Sequence, residues 1–165
     1  MLKKRVDYKF ETLSQENALI IADDWKYPEP FSFYDMTADV EDYQAFISEE
    51  ARGDSHYQIS LNEELIGFFI CKLQDKIAEI GIGMKPELTG NGHGGEFLTT
   101  CLEWLCKKHP DLKSIILYVA EFNERAVKVY KKHGFEVISN YEQATNGGIY
   151  PFLKMKKDVD NVLQV

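Results

Sequence analysis

Residues 89–95 read T-G-N-G-H-G-G and lie between an apolar strand-like run and an amphipathic helical run. Glycines there let the backbone take positive φ and approach a ligand closely. The following helix points its first N–H groups and the positive end of its dipole at whatever sits above the turn. An anion, above all a phosphate, is favoured at such a place. Four glycines among residues 90–95 argue against a turn with no ligand. Two other phosphate chemistries fail on spacing. A nucleoside-triphosphate loop needs G-x-x-x-x-G-K-[ST], and Glu96 stands where the lysine belongs. Gly90, Gly92 and Gly95 do satisfy G-x-G-x-x-G, with Glu121 placed as a ribose-binding acid. Yet Lys85–Thr89 separate the strand from the first glycine, and Glu121 lies 31 positions after Gly90. Only 44 residues follow Glu121, too few for the second half of a dinucleotide fold.

The elements that must hold this turn can be read from periodicity and breakers. Val6–Thr12 alternates and predicts a first strand, and Ser14 caps a helix to about Asp24 with Ala18, Leu19 and Ala22 on one face. Residues 25–35, W-K-Y-P-E-P-F-S-F-Y-D, carry two prolines and five aromatics and cannot form one regular helix. A segment this aromatic is either a lid packed over a pocket or the edge of a core. A second helix is expected over Ala38–Ala51, capped by Thr37 or Asp39. Then the period changes to two. His56–Leu61, Leu65–Leu73 and Ile77–Met84 predict an antiparallel meander with turns at Asn62-Glu63-Glu64 and Gln74-Asp75-Lys76. Beyond the glycine turn, a helix over Gly94–Lys108 places Phe97, Leu98, Cys101, Leu102 and Leu105 on one face and ends at His109-Pro110. Ile115–Val119 is a short strand, and Asn123–His133 a helix closed by Gly134. Phe135–Ile138 and Ile149–Met155 predict a last strand pair, with Pro151 marking an edge or bulge. The fold class expected is α+β, a mixed α/β single domain over residues 1–165.

Composition bounds the function. A formal net charge of −8 and a pI near 5.0 argue against nucleic-acid binding and lean toward a cationic partner. The longest apolar run, Leu65–Cys71, is far short of the ~20 residues of a membrane span. No signal-like stretch follows the basic N-terminus, so the cytoplasm is expected. Cys71, Cys101 and Cys106 are irregularly spaced and read as small hydrophobes rather than a disulfide framework. Four histidines without ligand spacing give no metal site.

Two motifs resemble the GNAT superfamily of N-acetyltransferases. Residues 81–98, G-I-G-M-K-P-E-L-T-G-N-G-H-G-G-E-F-L, are similar to that family's acetyl-CoA motif, x-P-x-x-[RQ]-G-x-G-x-G after a strand. Residues 117–135, L-Y-V-A-E-F-N-E-R-A-V-K-V-Y-K-K-H-G-F, are similar to its L-x-V, N-x-x-A, Tyr and G-F pattern. The resemblance implies a GNAT-like fold, with a central mixed, mostly antiparallel sheet flanked by helices. It departs from the family at Thr89, where Arg or Gln is usual.

What the resemblance implies about chemistry follows residue by residue. Backbone groups at Ile82 and Met84 pair with the pantetheine arm of acetyl-CoA, in a slot opened by a splay between the 77–84 and 115–119 strands. The pyrophosphate lies on Thr89, Gly90, Asn91, Gly92, His93, Gly94 and Gly95. Asn123 hydrogen-bonds the cofactor or caps its helix. A protonated amine needs roughly 4.6 kcal/mol to reach its neutral form at pH 7, at about 1.36 kcal/mol per pK unit. A base must therefore take that proton, and Glu79 is the candidate, ahead of Glu121 and Glu29. Tyr130 matches the general acid that protonates the leaving thiolate, and a strand N–H near Met84 steadies the charge developing on the thioester oxygen. Trp25, Tyr27, Glu29, Phe31 and Tyr34 line the acceptor pocket, with Glu29 or Asp35 holding a cation. The acceptor is an amine-bearing small molecule or a protein N-terminus or lysine. A homodimer through the Ile149–Met155 edge is open, as is a non-catalytic acyl-CoA-binding sensor.

Overall fold

The computed structural model describes residues 7–159. Seven strands form a mostly antiparallel sheet in the order β1-β2-β3-β4-β5-β7-β6. Contacts divide the described chain into two compact units, residues 7–70 with 82–89 and residues 71–81 with 90–159. No helix among the described residues is long and apolar enough to cross a membrane.

In the first unit, β1 (Tyr8–Thr12) pairs antiparallel with β2 (His56–Leu61), which pairs antiparallel with β3 (Glu64–Gln74). Val6, expected in the first strand, lies outside the described residues. The Ser14 hydroxyl accepts from the Asn17 amide at 3.1 Å and starts α1 (Gln15–Asp24). The buried stripe is Ala18, Ile21, Ala22 and Trp25. Leu19, expected on that face, is 39% exposed because the i, i+3, i+4, i+7 phase runs through Ile21 instead. Leu13, Phe46 and Phe68 complete this core, with Met36, Tyr43 and Ile47 packed on it.

The single helix expected over Ala38–Ala51 is two. Asp39 caps α2 (Val40–Ile47), and Ser48 caps α3 (Glu49–Arg52) by accepting from the Ala51 amide at 3.1 Å. A serine hydroxyl offers the backbone a local partner that competes with continuation of the helix. The break frees the Phe46 carbonyl for the buried Arg52, whose Nη1 donates to it at 2.7 Å while Nη2 donates to Gln15 Oε1 at 2.8 Å.

The hairpin turns are tighter than expected, with only Asn62-Glu63 and Asp75-Lys76 outside the strands. All four residues have positive φ, between 50° and 70°, the geometry that matches strand twist in two-residue loops.

In the second unit, the start of β4 (Ile77–Met84) runs parallel to β5 (Ser114–Ala120), with α4 (Gly94–Lys108) between them in sequence. The five apolar residues expected on one face of α4 are all buried. α5 (Glu124–Lys132) precedes a final hairpin of β6 (Glu136–Thr145) and β7 (Gly148–Asp158). Both strands are far longer than expected, joined through Asn146 and Gly147, both of positive φ. Nearly every residue of β6 is exposed, so it carries no apolar alternation that could betray a strand. β7 lies between β5 and β6, but its ladder with β5 ends at Phe152, so Pro151 sits where β7 pairs with β6 alone, and the bulge falls at Val137/Ser139 instead.

Gly83 shows how closely β4 is packed in the first unit. A Cβ there would lie 2.1 Å from Phe68 Cε1, and that ring is walled in by Phe46 and Trp25 at centroid distances of 5.4 and 6.3 Å. Gly83→Ala is therefore expected to lower stability by about 1–3 kcal/mol in urea unfolding, as overpacking does. Adding Phe68→Leu should make the alanine less costly than it is alone; simple additivity would refute the clash.

Candidate active site

The glycine turn is reached through one 3₁₀ turn, Pro86–Leu88. Thr89 folds back on that turn, its hydroxyl donating to the Pro86 carbonyl at 2.7 Å. Gly90 and Gly92 then take φ of +76° and +80°, conformations that a side chain disfavours. A Cβ on Gly92 would meet nothing within 4 Å, and one on Gly94 only Val129 Cγ2 at 4.0 Å. His93 stands at the N-cap of α4, and its side chain makes no cap hydrogen bond. An open backbone cradle at a helix N-terminus can hold a phosphate.

His133 supports this cradle from α5. Its Nδ1 donates to the Val129 carbonyl at 2.8 Å, its Nε2 lies 3.0 Å from Thr99 Oγ1, and its Cε1 would be 3.5 Å from a Cβ on Gly95. The sequence gives no metal spacing for His133 and no sign of this structural role.

Asn123 caps α5, its Oδ1 accepting from the Ala126 amide at 3.2 Å. Tyr130, half-buried on that helix, packs edge-on against Phe135 at 5.8 Å. The parallel ladder pairs Ile77, Ala78 and Glu79 with Ser114, Ile115 and Ile116 and stops there, although both strands continue. Glu79 is half-buried, between the inward-facing Ala78 and Ile80. Its charge helps to raise the Tyr141 hydroxyl above its ordinary value, after burial and Tyr118. Tyr141 stands edge-on to Tyr118 at 5.9 Å, and Lys154 Nζ lies 5.8 Å from the Tyr118 ring centre.

In the first unit, Ile82 and Met84 are half-buried at the end of β4. The Tyr27 hydroxyl donates to the Met84 carbonyl at 2.6 Å, and the Lys85 amide to the Ile66 carbonyl at 2.8 Å. Trp25, Tyr27 and Tyr34, with Ile21, Met36 and Phe68, line a small hollow of about 10 Å³. Phe31 and Glu29 are not in its lining; Glu29 accepts from the Ser32 hydroxyl. Asp35 accepts from the Tyr27 amide at 2.8 Å and so shapes the loop.

A model of the acetyltransferase (GNAT) family matches residues 17–135, more than two thirds of the chain. The chain belongs to that family. Among curated proteins none matches the sequence significantly. Its fold is similar to that of the ribosomal-protein-S18-alanine N-acetyltransferase from Escherichia coli, with a TM-score of 0.67 and 16% identity over 93% of this chain and 95% of that one. It is also similar to the spermidine/spermine N-acetyltransferase SpeG from Vibrio cholerae, with a TM-score of 0.66 and 21% identity over 95% of each chain. A GNAT-family acetyltransferase from Bacillus anthracis gives 0.67 and 15%, over 92% of this chain and 95% of that one.

Against this GNAT frame, the second unit brings the glycine turn, Asn123 and Tyr130 onto α4, α5 and the loops before them. The first unit gathers three of the five aromatic-segment residues expected around an acceptor. Met36, Ile21 and Phe68 were not singled out from sequence, because apolar residues of this kind read as ordinary core. The contact of Tyr118 with Tyr141 is not legible in the sequence, because Tyr141 lies in the part of β6 beyond the expected Phe135–Ile138.

Tyr27 holds its proton tightly. Burial, then the charges of Asp35 and Glu87, push its hydroxyl far above the ordinary 10.0. A raised folded value means that its contribution is complete below about pH 10 and lost as pH rises beyond it. Tyr27→Phe is expected to cost about 1 kcal/mol at pH 7 through the orphaned Met84 carbonyl. Its melting temperature should also fall less steeply above about pH 10 than the parent's. Parallel alkaline profiles would remove Tyr27 as the titrating group.

Proposed function

We propose that this GNAT chain, as one acetyltransferase domain, transfers the acetyl group of acetyl-CoA to an amine by direct attack. The observation that carries the reading is the open, positive-φ glycine turn at the N-terminus of α4, where the His93 side chain makes no cap hydrogen bond. Bound acetyl-CoA supplies an activated thioester. The amides of residues 90–95 hold its pyrophosphate, Asn123 and the backbone at Ile82 and Met84 its pantetheine arm, and the β4–β5 ladder that ends at Glu79 supports such a slot. Tyr130 keeps the proton that the departing thiol needs, and Glu79 takes the proton from the ammonium of the acceptor. Trp25, Tyr27 and Tyr34 hold the acceptor's carbon chain.

The thiols argue for direct transfer. Burial pushes Cys71 up to about 11 and Cys101 still further, and it raises Cys106 as well. A thiol that stays protonated is a poor nucleophile, so no acyl-cysteine relay is called for. A net charge of −8 favours a cationic acceptor. The similar structures include acetyltransferases of spermidine and of a ribosomal-protein alanine, so a polyamine and a protein N-terminus head the acceptors to try. The cytoplasm, where acetyl-CoA and both acceptors occur, is its compartment. A homodimer built by strand addition uses the β6 edge.

Calorimetric titration with acetyl-CoA, with NAD as control, should show micromolar binding of acetyl-CoA alone. Thiol release should then depend on an added amine. Tyr130→Phe is expected to lower kcat about a hundredfold, the lower end for a general acid, with acetyl-CoA affinity within about twofold. Unchanged kcat removes Tyr130 from catalysis. Binding without release on any amine points to a sensor, and binding of NAD instead refutes the acetyltransferase reading.

A further inference from the structure

The glycine turn carries no fixed cation of its own. Between Lys85 and Lys107 the sequence has neither lysine nor arginine, while residues 86–96 contribute two carboxylates, Glu87 and Glu96. Lys85 is engaged elsewhere, its Nζ 3.0 Å from Glu64 Oε1. Thr89 stands where the family usually carries Arg or Gln, and its hydroxyl is turned onto the Pro86 carbonyl. Backbone amides would thus face a multiply charged pyrophosphate alone.

α5 supplies what the turn lacks. The Arg125 guanidinium reaches over the turn, with Nη1 3.0 Å from the position a Cβ would take on Gly90. Arg125 is an exposed residue two positions after the Asn123 cap, in the first turn of α5. Gly90 then answers two demands, a positive φ and room for that head group. A guanidinium is permanently charged and can clamp two phosphate oxygens at once.

We propose that Arg125 is the pyrophosphate-binding cation of this chain, brought from α5 in place of the side chain missing at Thr89. The assignment rests on the acetyl-CoA reading above.

Titration calorimetry of the full chain with CoA, 3′-dephospho-CoA and pantetheine tests it. Arg125→Gln is expected to bind CoA and 3′-dephospho-CoA about tenfold more weakly, the low end for a charge-assisted contact, and pantetheine as before. Its CoA affinity should also respond less steeply to added salt. If that variant melts early, Arg125→Lys carries the same comparison with a smaller loss. Undiminished CoA affinity overturns the proposal. So does an equal loss for pantetheine, which makes Arg125 a brace for the turn. A loss confined to CoA assigns it to the 3′-phosphate and overturns the pyrophosphate assignment. A parent chain that binds no CoA refutes the cofactor reading itself, and this assignment with it.

Discussion

The structure turns on a change of partners along β4. Its first three residues share a parallel ladder with β5, and the ladder ends at Glu79. Its last three are held by other means within the first unit. Tyr27 binds the Met84 carbonyl, Lys85 binds the Ile66 carbonyl, and Phe68 fills the space above Gly83. Neither half can drift without leaving backbone groups unpaired, which costs about 1–3 kcal/mol for each buried group. A strand that leaves its neighbour part-way normally exposes a ladder's worth of N–H and C=O groups. In this chain the far half of β4 has anchors of its own within the first unit, the Tyr27 hydroxyl and the packing of Phe68.

The glycine turn follows the same logic on a smaller scale. Its backbone is open because its side chains are missing or turned away, and that would leave it loose without support. His133 provides the support by tying the end of α5, through the Val129 carbonyl, to Thr99 in the second turn of α4, whose hydroxyl also contacts the Gly95 carbonyl. Lys157 extends the brace by donating to the His133 carbonyl at 2.7 Å. Rigidity thus comes from the contacts between the end of α5 and α4, on which the turn is mounted. This arrangement is pre-organised, so little ordering cost remains when an anion binds.

The features legible in the sequence are those decided within a few residues. The Ser14 and Asn123 caps, the five-residue apolar face of α4 and the bounds of β2 and β4 all depend on local spacing and stand as read. The second helix failed at Ser48 because two caps compete there, and only the distant Gln15 and the buried Arg52 settle the contest. β6 was cut short since an edge strand facing solvent needs no apolar alternation. At the candidate site the glycines and Tyr130 were visible as motif, and Thr89 as a departure from it. The partners of Tyr27 and the reach of Arg125 were not, because each joins residues far apart in the chain.

The environment of each ionisable group narrows the chemistry further. Tyr27 donates to a carbonyl and sits in the field of Asp35 and Glu87, so it is poorly suited to give up a proton and well suited to hold a backbone in place. Cys71 and Cys101 are buried and Cys106 is half-buried, and all three thiols are raised by burial, so none competes with an amine for a thioester. Burial, then the charges of Tyr118 and Glu79, raise the Tyr141 hydroxyl, so it too holds its proton. Of the two carboxylates, Glu79 is half-buried within β4 while Glu121 is exposed on the turn after β5, so the two differ in their access to water.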